Sequence, residues 1–468
     1  MQPSIFNLRV PLESRSDVFL MNTMTDAQLI VSSDVAALLD RFERDPQAPV
    51  ASEDEREAVS LLEENGFLVP DRRAERQSID QFFEVTKSSN AELHITVLTT
   101  LQCNFACDYC YQGDRGDYNK FAEKMTIETA QRTADWIERE LDRVRPDRLH
   151  IMFFGGEPLL NLPAMYLIAE RMKAATAARA LKQTITIVTN GLLLSEEIVD
   201  TMLPWGLYGV KITLDGDRDT HNRMRPLRGG QGTFDRIVDN IRTVAHKTRV
   251  AIGGNYDESS VDSYPALLDY LREQDFADRL SKVNFKPVVR EKVAAAPKGV
   301  LPLIPVNADG KPLGGTCMTS AGAGTGNACD SCGFAESSMS FLREETKKHG
   351  FPTPDGVHGG PCHVHMKHAH TIGTDGSLYP CAGFTGDKGQ SVGHIDDRRD
   401  PVRMATRAKF DQLNPWSECG DCAYIPVCAG GCLVASHSEL GDMNRPTCHK
   451  RAFESATVAL AHEVARAN

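Results

Sequence analysis

Long hydrophobic runs are missing from this chain. Over 468 residues no apolar stretch approaches the roughly 20 that a membrane-spanning helix needs, so no membrane association is expected. An excess of basic charge is missing too: 64 acidic against 52 basic side chains give a formal charge of -12 and a pI near 5.7. A nucleic-acid binder carries a basic footprint, so that class is not expected either. Met1-Gln2-Pro3-Ser4-Ile5-Phe6 has no basic segment leading into an apolar core, so no export signal is read and a cytoplasmic location is expected. Cysteine, by contrast, is plentiful. Thirteen cysteines in a chain without an export signal point to metal binding rather than disulfides. The length is too great for one compact core and implies several domains.

Three of the cysteines stand in Cys103-Asn104-Phe105-Ala106-Cys107-Asp108-Tyr109-Cys110-Tyr111, a C-x3-C-x2-C spacing. They follow His94-Ile95-Thr96-Val97-Leu98-Thr99-Thr100, an apolar β-branched run that reads as a short buried strand. The cysteines are thus placed on the loop at its C-terminal end. A cubane iron–sulfur cluster normally takes four thiolates. Three from one loop leave the fourth iron open to a small molecule. A structural zinc loop is the alternative, although zinc sites favour C-x2-4-C pairs and need a fourth ligand.

Cys103, Cys107, Cys110 and Tyr111 resemble the signature loop of the radical S-adenosylmethionine enzymes. The resemblance implies an S-adenosylmethionine chelated at the open iron and split reductively to a 5′-deoxyadenosyl radical that takes a hydrogen atom from substrate. The cofactor carries that chemistry, and the protein supplies position and exclusion of water.

Residues 1–88 read as a small separate unit. Val18–Met21 and Gln28–Val31 are expected strands, and Ser33 is expected to cap a helix whose Val35, Leu38, Leu39 and Phe42 fall at i, i+3, i+4 and i+7. A second helix is expected from Glu53 to a glycine stop at Gly66, then a strand at Phe67–Val69 and a charged linker over Asp71–Arg76. This pattern is compatible with a winged helix and resembles the leader-peptide recognition domains of peptide-modifying radical enzymes. Those domains add the peptide as a strand to a sheet edge. A purely structural cap is the alternative.

From residue 89 to about 290, strand and helix alternate six times, which implies right-handed crossovers and a parallel sheet. The expected strands are His94–Thr100, Leu149–Phe154, Thr184–Val188, Tyr208–Leu214, Arg249–Gly253 and Val283–Phe285. Six units fit an open partial (β/α)6 barrel, with its chemistry at the C-terminal strand ends. The second strand ends in Gly155-Gly156-Glu157-Pro158, where backbone can approach a ligand closely. This matches the family's GGEP motif, which holds the methionyl amine of the cofactor. Thr189-Asn190-Gly191 after the third strand resembles the segment near the cofactor ribose and carboxylate; a plain Asn-Gly turn is the alternative. Asp215, in Leu214-Asp215-Gly216, resembles a family carboxylate and is the candidate catalytic group, as proton acceptor or orienting residue. A turn-forming Asp-Gly is the alternative there.

Residues 291–358 are rich in Gly, Ala and Pro and read as an irregular insertion containing Cys317, Cys329 and Cys332. Residues 359–468 carry Cys362-x13-Gly376-x4-Cys381, then Cys419-x2-Cys422-x5-Cys428-x3-Cys432, and Cys448. The pattern resembles the SPASM domain of the same superfamily. By that resemblance Cys419, Cys422, Cys428 and Cys448 hold a distal [4Fe-4S] cluster. Cys362, Cys381 and Cys432 hold a proximal one whose fourth ligand is unassigned. A zinc ribbon is the rival reading. The alternation of His363, His365, His368 and His370 reads as a half-buried strand, and the last 20 residues as a closing helix.

The expected fold is therefore α/β: a partial barrel between a winged-helix-like domain and a cysteine-rich domain. The expected function is a radical maturase of a ribosomally made peptide or protein that forms a thioether or carbon–carbon crosslink. It would use three [4Fe-4S] clusters, S-adenosylmethionine and a donor such as flavodoxin or ferredoxin. A formylglycine maturase and a non-catalytic electron-transfer protein are the alternatives.

Overall fold

Every apolar β-branched run that alternates with a helical pattern becomes a parallel strand. In the computed structural model, which describes residues 1–12, 16–110, 122–288, 330–354, 357, 361–396, 400–448 and 450–467, the chain divides into two compact units. One joins Met1–Ser88 to Asp355–Cys362 and Asn414–Asn468, and the other joins Ser89–Pro354 to His363–Leu413.

The first unit opens with β1 (Gln2–Pro3), β2 (Asn7–Pro11), β3 (Asp17–Asn22) and β4 (Gln28–Ser32). The last three form an antiparallel sheet in the order β2-β3-β4. Helices α1 (Ser33–Arg44) and α2 (Glu53–Glu64) follow, then β5 (Leu68–Val69), which pairs with β1, and α3 (Arg72–Ser88). Two strands beyond the expected pair, β1 and β2, thus precede the helices. Ser33 is the first helical residue of α1, not its cap; Ser32 stands at the cap position and its hydroxyl makes no capping bond. Gly66 does stop α2, at φ +79°. The expected linker at Asp71–Arg76 is instead the first turn of α3, whose charged start hides the apolar face of Ile79 and Phe83.

That face packs against the far end of the sequence. Phe83 lies 4.2 Å from Trp416, Lys87 Nζ sits 4.5 Å above the Trp416 ring, and Trp416 Nε1 donates to Asp80 at 3.1 Å. Leu8, Val10, Phe19 and Met21 share a core with Tyr424, Leu460 and Ala461. Residues 1–88 and 414–468 therefore build one unit rather than two, with the closing helix Lys450–Ala467 as part of it.

The second unit is a sheet of β6 (Glu92–Thr100), β7 (Arg148–Gly155), β8 (Lys182–Thr189), β9 (Leu207–Thr213), β10 (Arg249–Tyr256) and β11 (Leu280–Pro287). All six are parallel and pair in chain order, as expected. The crossovers are α4 (Ile127–Val144), α5 (Leu162–Ala178), α6 (Glu196–Met202), α7 (Arg218–Met224), α8 (Phe234–Val244) and α9 (Tyr264–Arg272). Ala130, Ala134, Ile137 and Leu141 of α4 face the sheet, at 0–1% exposure. The sheet does not close; it continues from β6 into β12 (Ala369–Ile372), parallel, and then β13 (Ser377–Tyr379) and β14 (Gly393–His394), antiparallel.

Two expectations change here. Residues 330–348, within the expected irregular insertion, form helix α10 (Asp330–Lys348). The histidine run is not one half-buried strand: His363–His365 is a 3-10 turn, and only His370 lies in β12, which is buried along its length. Tyr111, Cys317 and Cys329, and the side chain of Cys332, lie outside the described residues.

Candidate functional site

Cys103, Cys107 and Cys110 follow β6 at the C-terminal end of the sheet, and all ten motif cysteines are free of disulfides. The loop is gripped from two sides. Against one side lies the end of β7, where Gly156 N donates to Thr100 O at 2.9 Å and Glu157 N to Gln102 O at 2.8 Å. The two glycines are sterically required. A Cβ on Gly155 would stand 2.2 Å from Thr100 O, at φ +143°, and one on Gly156 would stand 2.3 Å from Gln102 O. On the other side lies the segment after α7: Phe105 bridges Leu227, Ala106 N donates to Pro226 O at 2.9 Å, and Arg228 Nε donates to Cys103 O at 2.7 Å.

Glu157 is wholly buried and its carboxylate ties β7 to β8. It accepts from Thr189 Oγ1 at 2.8 Å, Asn190 N at 2.7 Å and Leu159 N at 3.0 Å. Burial raises its pKa, and these donors oppose the rise. Asn190 Nδ2 in turn donates to Asn104 Oδ1 at 2.7 Å and lies 3.9 Å from Cys103 Sγ. Gly155, Gly156, Glu157, Thr189 and Asn190 thus converge on the cysteine loop. Gly156 and the loop are the partly exposed members, whereas the Glu157 carboxylate is fully engaged inside the protein.

Asp215 is also wholly buried, directly after β9. Tyr109, between the second and third cysteines, donates its hydroxyl to Asp215 Oδ2. Asn255 N donates to Asp215 Oδ1 at 2.7 Å, and Arg225 Nη1 donates to the Tyr109 oxygen at 2.5 Å, with 3.6 Å to the carboxylate. A carboxylate so enclosed does not face an open cavity; it orients Tyr109. Burial pushes its pKa up, while Arg225 first, then Tyr109 and Asn255, pull it down. Sequence reasoning gave no role to Tyr109, Arg225, Arg228 or Asn255. Their signal, if any, was polar residues just past strand ends, where sites in such sheets gather.

Burial pushes the Cys103 thiol up to about 12 and Cys107 to about 11, with Arg225 pulling both down. Buried sulfurs of this kind become thiolates when a metal takes the proton's place. With Cys110, exposed on the same loop, they make a set of three sulfurs that fits a cluster with one iron left open.

A second thiol group lies in the other unit. Burial, then Cys419, Cys448 and Cys422, pushes Cys428 up to about 12; Cys419, at about 11, feels Cys422 and Cys448 after burial. Cys419, Cys422, Cys428 and Cys448 thus lie in one unit, where Cys419 and Cys428 feel the charge of the other members of the set. Cys448 is carried there by Thr447, which clasps a glycine turn: Thr447 N donates to Gly430 O at 2.9 Å, and Cys432 N to Thr447 Oγ1 at 2.8 Å. Among the described residues no three cysteine sulfurs lie within 4.8 Å of one another. The expected proximal set divides between the units, exposed Cys362 and Cys432 in the first and half-buried Cys381 in the second.

Residues 97–255 match the family model of the Radical SAM superfamily. Fe-coproporphyrin III synthase of Methanosarcina barkeri is 26% identical over 178 residues, 37% of this chain and 40% of that one. The sporulation killing factor maturation protein SkfB of Bacillus subtilis is 26% identical over 187 residues, 39% and 41% of the two chains. The alignments span from 40 to 63% of the first curated relatives' lengths. In fold, the chain is similar to native anSMEcpe with bound AdoMet, at TM-score 0.58 and 16% identity, over 80% of this chain and 99% of that one. It is similar at TM-score 0.55 and 18% identity to anSMEcpe with AdoMet and the Cp18Cys peptide, over 81% and 99%. Among the described residues no helix is long and apolar enough to cross a membrane.

Proposed function

We propose that this chain, which carries a radical SAM domain over residues 97–255, is an S-adenosylmethionine-dependent maturase acting on a ribosomally made peptide. The observation that carries the reading is the presence of two separate thiol groups. One is an incomplete set of three on the β6 loop, and the other is a complete set of four at Cys419, Cys422, Cys428 and Cys448. An incomplete set suits a cluster that binds a cofactor; a complete set suits one that passes electrons. When bound, a [4Fe-4S] cluster and S-adenosylmethionine supply a 5′-deoxyadenosyl radical that abstracts hydrogen from the substrate.

The chain's own residues hold that centre rigid. Cys103, Cys107 and Cys110 ligate it, and Gly156 offers open backbone beside it for the cofactor's amine. Gly155, Glu157 and Thr189 fix the β7 and β8 ends, and Asn190 fixes the loop. Asp215 acts through Tyr109 as a positioning residue. A third cluster, in a SPASM-like domain, rests on the sequence spacing of Cys362, Cys381 and Cys432 alone. The likenesses to SkfB and to a peptide-bound anSMEcpe support a peptide substrate; a thioether or carbon–carbon crosslink is the product proposed on the sequence resemblance alone. The β2-β3-β4 sheet, a winged-helix-like element, offers strand edges for its leader. A flavodoxin or ferredoxin supplies the electron.

The test is anaerobic incubation of cluster-loaded protein with S-adenosylmethionine and dithionite, with and without a peptide encoded beside it. Formation of 5′-deoxyadenosine and loss of two hydrogens from the peptide is the expected result. Without 5′-deoxyadenosine the reading falls to an electron-transfer protein.

A further inference from the structure

A different set of metal-binding side chains lies at the opposite end of the sheet. Strand β6 begins at Glu92 and carries His94, roughly 20 Å of strand away from the cysteine loop. His363 comes from the turn that leads into β12, which pairs with β6 so that Ala369 stands opposite His94. One ligand atom from each of Glu92, His94 and His363 lies within 4.8 Å of the other two, and no other trio of His, Cys, Asp or Glu among the described residues does so.

The His94 ring sits between two imidazoles, 4.0 Å from His363 and 4.8 Å from His150 by ring centres. His150 is already engaged, at 2.9 Å from Thr184 Oγ1 and 3.1 Å from Thr186 Oγ1. His94 is not: it is buried, and its Nδ1 has no hydrogen-bond partner. A buried nitrogen left in that state costs free energy. Glu92 Oε1 stands 3.5 Å from it. That is long for a hydrogen bond, but it is near the ~3.3 Å edge of a tetrahedron with metal–ligand bonds of ~2.0–2.1 Å. The other Glu92 oxygen accepts from Arg148 Nε at 2.5 Å, the kind of outer contact that orients a ligating carboxylate. His363 is exposed and gives an ion a way in.

We propose that Glu92, His94 and His363 bind one divalent first-row transition cation, with its remaining positions taken by water. Two imidazoles and one carboxylate suit zinc and also iron(II). The ion would staple the start of the first sheet strand to the turn that launches β12.

The experiment uses the cluster-loaded holoprotein, dialysed against zinc and then against metal-free buffer, with zinc and iron measured by mass spectrometry. One zinc per chain is expected, lost in His363→Ala and in Glu92→Gln with iron unchanged. His363→Ala also removes the ring 4.0 Å from His94, whereas Glu92→Gln keeps the shape while removing the charge and so spares the packing. His462→Ala, exposed on the closing helix, retains zinc as the control. Absence of retained zinc in the unaltered protein, or equal retention in both variants and the control, overturns the site. So does loss of iron instead of zinc from His363→Ala, which would assign that imidazole to a cluster beside Cys362.

Discussion

Replacing Gly156 with alanine isolates one contact in the candidate site. The glycine's φ lies outside the left-handed region, so the new methyl acts by volume alone. It would meet Gln102 O at 2.3 Å, Gln102 C at 2.7 Å and Leu101 O at 2.7 Å, all of them backbone atoms. No side chain can swing aside. Ordinary contact begins at 3.4 Å, so the end of β7 and the cysteine loop must separate by about 1 Å. Forced overpacking of this size costs about 1–3 kcal/mol. At ~2 kcal/mol, with ~2.1 cal/mol/K of unfolding entropy per residue in a unit of about 320 residues, the melting temperature falls by roughly 3 °C. A misplacement of about 1 Å at a reacting centre lowers the rate by ~100-fold. Iron per chain, thermal unfolding by circular dichroism and 5′-deoxyadenosine formation would be measured together under anaerobic conditions. The expected variant keeps most of its iron, melts lower and cleaves the cofactor at about 1% of the normal rate. Cleavage within threefold of normal would show that the loop does not depend on this approach.

Tyr109→Phe removes the donor to Asp215 and the acceptor from Arg225, so iron content should hold while cofactor cleavage drops ~10-fold or more, with destabilisation of about 1–3 kcal/mol; unchanged cleavage would leave Asp215 with no positioning role. Trp416→Ala empties the contact with Phe83 and Lys87 just before Cys419, and should cost about 3–5 kcal/mol and lower iron by up to four atoms per chain through the distal thiols; full iron content would separate that packing from the thiol group. Burial holds His150 at about 4 and His370, with Arg407 and Arg143 beside it, at about 3. Both pKa values are depressed below the ordinary 6.5, so the unfolded chain protonates first as pH falls. Their contribution is full above 6.5 and is lost toward 4 and 3, by up to ~1.4 kcal/mol per pH unit each. Thermal scans from pH 8 to 5 should show this slope, and His370→Asn should lower it by about a quarter, since burial depresses His221 and His363 as well; an unchanged slope would place the acid sensitivity elsewhere.

The parallel sheet was legible because its strands are runs such as Ile185–Val188 and Val210–Ile212, whose β-branched residues fit only a buried pleat. Cysteine spacing likewise pointed to both thiol groups, and in the structure Cys419 and Cys428 feel the charge of Cys448. Helix α3 was not legible, since Arg72, Arg73, Glu75 and Arg76 look like a solvated linker until Ile79 and Phe83 meet Trp416, more than 300 residues away in sequence. The roles of Arg225 and Arg228 were hidden for the same reason. Each acts on a loop over 100 residues upstream, and no local pattern records such a meeting. Gly155 and Gly156 were read as making room for a ligand; the structure adds a nearer cause, the backbone of the cysteine loop.

The union of residues 1–88 with 414–468 sets an order of events during synthesis. The amino-terminal strands emerge from the ribosome first, yet the residues that complete their core, Tyr424, Leu460 and Ala461, come last. At ~5–20 residues per second, the intervening chain takes about 15–65 s to make. Through that interval Phe19, Met21 and Phe83 lack the part of their cover that residues 414–468 supply, while the parallel sheet can finish folding between them. A nascent chain of this design depends on chaperone holding early and on rapid closure late, so a stalled or truncated product should be lost to aggregation rather than accumulate as a folded fragment.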